Sequence, residues 1–164
     1  MARSTVFTFP DPVNEVSARL VAAGAVAMSA AVAIGGLTWV LVPLAFGFVA
    51  RVAAGPRFSP LGRLVTQVVT PRLSVAPKWV PGPPKRFAQG IGAVLSVAAL
   101  VCALAGSVGA ARVLAGMITV AASLEAVLGY CLGCKIFALL MRVGVVPEAV
   151  CEACNDLSKR PVAA

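Results

Sequence analysis

The chain has 164 residues, 60% hydrophobic and 12% charged, with 14 lysines and arginines against 6 acidic residues and a formal net charge of +8. Soluble domains carry roughly 45–50% apolar and about 25% charged residues, so a soluble enzyme, a disordered tail and a secreted disulfide module are excluded, and an integral membrane protein remains. The absence of histidine removes imidazole catalysis and imidazole metal ligation, and in a membrane chain a basic excess reads as topology and anionic-lipid contact, not nucleic-acid binding.

Residues 1–14 read as a cytosolic N-terminal segment without a typical signal peptide, in which Pro10-Asp11-Pro12 caps the first helix. No charge occurs from residue 20 to residue 50. That stretch is too long for one span, which needs about 20 residues for a hydrocarbon core of about 30 Å. Gly35-Gly36 is the natural turn, giving a hairpin over 15–55 with spans at 15–34 and 37–55 and with Arg19 snorkelling to the headgroups. Small residues recur at Ala23, Ala27 and Ala31 and at Ala25, Ser29 and Ala33, which permits close helix packing or a homo-oligomer.

Residues 56–87 form the longest connection. After Ser59-Pro60, the residues Leu61, Leu64, Val65, Val68 and Val69 share one helical face, with Arg63, Thr66, Gln67 and Thr70 opposite and Pro71 as the stop. This helix lies flat on the cytosolic interface or packs on the span ends. Pro77, Pro81, Pro83 and Pro84 make the rest an extended linker, and Trp79 beside Lys78, Lys85 and Arg86 is an interface anchor. A second hairpin occupies 88–143: a span over 88–106, a turn at Gly106-Ser107-Val108-Gly109, and a span over 110–132 whose helix runs on toward Val143. Four spans place every basic residue except Arg112 on one side. The expectation is therefore an all-α bundle of four transmembrane helices in a bacterial cytoplasmic membrane, with both termini cytosolic. Residues 144–164 form a short tail, in which Gly144 ends the helix and Pro147-Glu148 starts another.

Cys102 stands alone, whereas Cys131, Cys134, Cys151 and Cys154 follow the spacing C-x2-C-x16-C-x2-C. The loop between the two pairs is long enough for them to meet at the cytosolic end of the fourth span. The quartet has three readings: one tetrahedral zinc site, a pair of dithiols exchanging disulfides or persulfides with a partner, or inert residues. Lys135 favours a thiolate at Cys134. A position at the C-terminal end of a helix opposes one, which leaves Cys151, near the start of the tail helix, better placed. Glu125 would lie about 13 Å inside the fourth span, counting nine helical residues. At that depth it is a functional candidate facing Arg51, Thr38, Ser96 or Tyr130, either as a structural carboxylate or on a proton path. On a continuous helix it points away from Cys134, unless Gly129 or Gly133 bends the helix.

The segments Pro84-Lys85-Arg86-Phe87-Ala88-Gln89-Gly90-Ile91-Gly92, Leu124-Glu125-Ala126 and Gly129-Tyr130-Cys131-Leu132-Gly133-Cys134-Lys135-Ile136-Phe137 resemble a bacterial membrane family, domain-of-unknown-function family four-three-nine-five, over about residues 8–145. The resemblance implies a four-helix membrane protein with no assigned activity, similar to DoxX-like proteins of thiol and sulfur metabolism, with thioredoxin-like or sulfurtransferase partners. Cys151 and Cys154 lie outside the matching part. The leading expectation is a thiol or sulfur redox partner acting through the two cysteine pairs. The alternatives are a scaffold or channel holding zinc and a proton-coupled transporter using Glu125.

Overall fold

The computed structural model describes residues 9–147 and Val150. The first helix, α1 (Glu15–Ala33), is capped by Asn14, whose side chain accepts from the Val16 amide at 3.0 Å. Asp11, expected as the cap, instead accepts from the Gly82 amide at 2.9 Å. The cap falls at Asn14 because Val13–Asn14 (β1) is held extended by an antiparallel pairing with Trp79–Val80 (β2), and an extended residue with a short acceptor satisfies the first free amides of a helix. The chain reverses where Gly35-Gly36 foretold, with Gly36 at φ +69°. A 3-10 turn over Thr38–Val40 then leads into α2 (Leu41–Ala54).

Gly55, at φ +66°, ends α2. Ser59 caps α3 (Pro60–Leu64), which continues through a π turn at Val65–Val69 into α4 (Thr70–Arg72). This helical segment leans on α1. The Ser17 and Thr70 hydroxyls are 2.9 Å apart, and a Cβ on Gly24 would stand 2.6 Å from Leu61. Gly62 and Val65 are buried against the bundle, while Leu64 and Val68 point outward.

The next helix, α5 (Gly82–Leu104), starts six residues before the expected position. Pro83 and Pro84 sit in its first turn, where a missing N–H costs nothing because those amides have no intrahelical partner. Gly106, at φ +81°, turns the chain into α6 (Val108–Leu128). That helix is shorter than expected: the chain breaks at Gly129 and restarts as α7 (Leu132–Arg142). Gly144, at φ +77°, follows α7, with the Val145 amide returning to the Leu140 carbonyl. Among the described residues, four helical runs are long and apolar enough to cross a membrane: Glu15–Ala33, Thr38–Arg72, Gly82–Leu104 and Val108–Leu128. The second is bent at Gly55, so its spanning part is Thr38–Ala54, about 25 Å of helix.

Helix α1 packs antiparallel on α6, α2 on α5, and α5 on both α6 and α7. Ala25, Ser29 and Val32 of α1 meet Ala111, Ala115 and Ile118 of α6 in a core completed by Leu41, Leu44 and Phe48 of α2 and Ala99 of α5. Of the two small-residue rows, the one through Ala25 and Ser29 faces this core, while Ala23 and Ala27 are exposed. The Thr119 hydroxyl meets that of Ser29 at 2.9 Å, so the close approach also joins two polar groups.

Candidate functional site

The break between α6 and α7 builds the site. At the end of α6 the Gly129 and Tyr130 amides fold back onto the Glu125 and Leu124 carbonyls, which requires the left-handed backbone that Gly129 supplies. Two residues later Cys131 is extended and caps α7, its Sγ accepting from the Cys134 amide at 3.3 Å. Helix α7 then lies across α5. A Cβ on Gly133 would stand 2.6 Å from the Ala88 Cα, and the Phe87 and Phe137 rings are 5.6 Å apart.

This reverses an expectation. Cys131 and Cys134 were placed at the C-terminal end of a long helix, where the dipole opposes an anion. They occupy instead the N-terminal turn of a new helix, where free amides and the dipole favour one. Cys131 and Cys134 are joined as a disulfide, with Cys131 8% exposed and Cys134 the more open of the two. Both line a cleft of about 780 Å³ with Lys78, Trp79, Lys85, Tyr130 and Lys135. Trp79, half-exposed, is thus a wall of the sulfur cleft. Cys131 also lines a smaller inner cavity of about 100 Å³ with Phe48, Gln89 and Glu125.

Glu125 lies in the last turn of α6, about 4.5 Å from its end and not about 13 Å as a longer helix required. Its carboxylate pairs with Lys85 Nζ at 2.5 Å, a partner absent from the expected set. Lys85 stands one turn into α5 and is 7% exposed. In sequence Lys85 reads as a charge beside the Trp79 anchor, because its burial depends on α5 starting at Gly82. Arg51 is held alongside, donating to Gln89 Oε1 at 2.9 Å and Ser59 Oγ at 3.1 Å and lying 4.5 Å over the Phe48 ring, within electrostatic reach of Glu125. The angular separation of Glu125 from the sulfurs, counted along one helix, does not apply across the break; Glu125 and Cys131 share the inner cavity.

Cys102 is free and packs at the edge of the core. Cys151 and Cys154 lie outside the described residues. Among the described residues no three of His, Cys, Asp and Glu stand together as metal ligands.

A family model described as a domain of unknown function (DUF4395) matches residues 13–142, which covers the bundle, the cleft and the Cys131–Cys134 pair. No curated protein and no solved structure matches the chain.

Proposed function

We propose, for a chain that belongs to the DUF4395 family, that it is a multi-pass membrane protein exchanging disulfides with a thiol-bearing partner through Cys131 and Cys134. The observation that carries this reading is the place of the pair: a disulfide at the first turn of a helix, open to a cleft. A partner thiolate attacks Cys134 Sγ, the more open sulfur. A bond forms between the partner's sulfur and Cys134, the Sγ–Sγ bond breaks, and its electron pair goes to Cys131, where the Cys134 amide and the N-terminus of α7 receive the anion. A better-stabilised leaving thiolate departs faster. A second partner thiolate then attacks the partner's own sulfur, releasing Cys134 as a thiolate and the partner as a disulfide. Two electrons have entered the protein, and the reverse sequence with a partner disulfide restores the bond.

We take that partner to be a thioredoxin-like or sulfurtransferase protein, as the likeness to DoxX-like proteins implies. We place the cleft on the cytosolic face of the membrane, because Lys78, Lys85, Arg86 and Lys135 stand at the cleft end while Arg112 stands by the opposite end of α1. A four-thiolate zinc site would need Cys131 and Cys134 as separate thiolates together with Cys151 and Cys154.

The roles of the two sulfurs make the reading testable. In a chain with Cys102, Cys151 and Cys154 replaced by serine, the probe is a single-cysteine thioredoxin carried as its thionitrobenzoate mixed disulfide. With Cys131→Ser, the Cys134 thiolate attacks the thioredoxin sulfur and expels thionitrobenzoate, and with neither Cys131 nor a second thioredoxin thiol to break the new bond a mixed disulfide should accumulate. With Cys134→Ser no such adduct should accumulate. An adduct on the Cys134→Ser chain and not on the Cys131→Ser chain, or on neither, would overturn the assignment.

A further inference from the structure

We infer that the buried Lys85–Glu125 pair sets the charge state of Cys131, with Lys85 as a positioning residue that holds the sulfur as a thiolate and Glu125 as the brake on it. The inference rests on the exchange reading of the same site. It comes from how the pair is seated between two cavities. Lys85 lines the outer cleft with both sulfurs, whereas Glu125 lines the inner cavity that only Cys131 of the two shares. The tied pair thus reaches both of the spaces that Cys131 lines, the cation into the outer cleft and the carboxylate into the inner cavity.

The other charged or titratable groups around Cys131 have partners of their own. From α1, Arg19 donates to the Ala126 and Val127 carbonyls, and Glu15 pairs with Lys78 at 2.8 Å. Arg51 of α2 is held by Gln89 and Ser59 and acts electrostatically on Glu125, a contribution common to the parent and both Lys85 variants. Lys135 of α7 lies 5.6 Å over the Tyr130 ring. Asp11 accepts from the Gly82 amide. Lys85 differs from Lys78, whose carboxylate partner Glu15 lines only the outer cleft, in being tied to a carboxylate that lines the inner cavity with Cys131. When the disulfide opens, negative charge appears on Cys131, which shares its outer cleft with an ammonium and its inner cavity with a carboxylate. A cation within about 4–6 Å favours a thiolate and an anion opposes it. Removing either member of the pair therefore acts in opposite directions. Loss of Lys85 leaves a buried carboxylate in the cavity it shares with the new anion. Loss of the Glu125 charge leaves an undiluted ammonium.

The test is the pH profile of alkylation of the full chain in detergent, with Cys102, Cys134, Cys151 and Cys154 replaced by serine so that Cys131 alone reacts. Iodoacetamide is the probe. Lys85→Met is expected to move the profile to higher pH and slow alkylation at neutral pH about tenfold, one unit along the pH axis. Lys85→Arg, which keeps the charge, is expected to restore it. Glu125→Gln is expected to shift the profile the other way and react at least as fast as the parent. A merely structural pair would move Lys85→Met and Glu125→Gln in the same direction, and that result, or two unmoved profiles, would overturn the inference. The outcome is independent of the partner trap, so failure of the exchange reading and failure of this inference are told apart.

Discussion

Arg19 and Arg112 each cap the helix to which the other belongs. Arg19 stands one turn into α1 and donates to the Ala126 and Val127 carbonyls at the end of α6. Arg112 stands one turn into α6 and donates to the Ala33 and Ile34 carbonyls at the end of α1. Arg86, one turn into α5, does the same for the Val52 carbonyl of α2 at 3.0 Å. The last carbonyls of a helix lack amide partners and carry the negative end of its dipole, so a guanidinium there answers both needs. In sequence Arg19 reads as a cost, a charge that must snorkel out of a span. The cap it makes depends on α6 ending at Leu128, and no pattern around Arg19 announces that. Arg112→Met is expected to lower the stability of the detergent-solubilised chain by about 1 kcal/mol, read as a lower denaturation midpoint. Arg112→Lys should recover only part of this, because an ammonium lacks the fork that reaches two carbonyls. Full recovery by lysine would contradict the forked contact.

Helix α7 is the element on which the site depends, and Gly133 sets its distance from α5. The backbone of Ala88 occupies the space a side chain at 133 would need. Gly133→Val is expected to lift α7, separate the Phe87 and Phe137 rings, and speed tryptic cleavage after Lys135 severalfold; unchanged cleavage would show that α7 is held by other contacts. The elements differ in how well the sequence announces them. The turn at Gly35-Gly36 is legible because the charge-free stretch around it is too long for a single span, and the turn at Gly106 because Gly106-Ser107-Val108-Gly109 offers the residue that reverses a chain cheaply. Gly144 is legible as a helix C-cap, the left-handed position that glycine fills. The break at Gly129 is not, because the apolar pattern runs through Tyr130 and Leu132 without a proline and a lone glycine is tolerated inside a helix. That one omission misplaces the sulfurs at the wrong helix pole and sinks Glu125 too deep. The early start of α5 is hidden by Pro81, Pro83 and Pro84, whose density imitates a linker. The Lys85–Glu125 pair follows from both boundaries together, so it emerges only in three dimensions.

The whole molecule is a bundle whose polar chemistry gathers at one end. Lys78, Lys85, Lys135, Glu15 and the disulfide share the cleft there, and Arg51, Gln89 and Glu125 lie just inside it. The opposite end carries Arg112, the Gly36 turn and exposed apolar residues such as Ile34 and Leu104. Such polarity suits a protein that uses the bilayer as an anchor and works at one interface. The account stands on Cys131 and Cys134 being an exchangeable pair. The direct measurement is a titration of the full chain in detergent, without chelator, against mixtures of reduced and oxidised dithiothreitol, with acid trapping and a count of alkylated cysteines by mass. The account requires a reversible, two-electron transition that disappears when Cys131 and Cys134 are replaced by serine. A pair that stays bonded at saturating reductant, or thiols that become reactive only after a chelator is added, would contradict it.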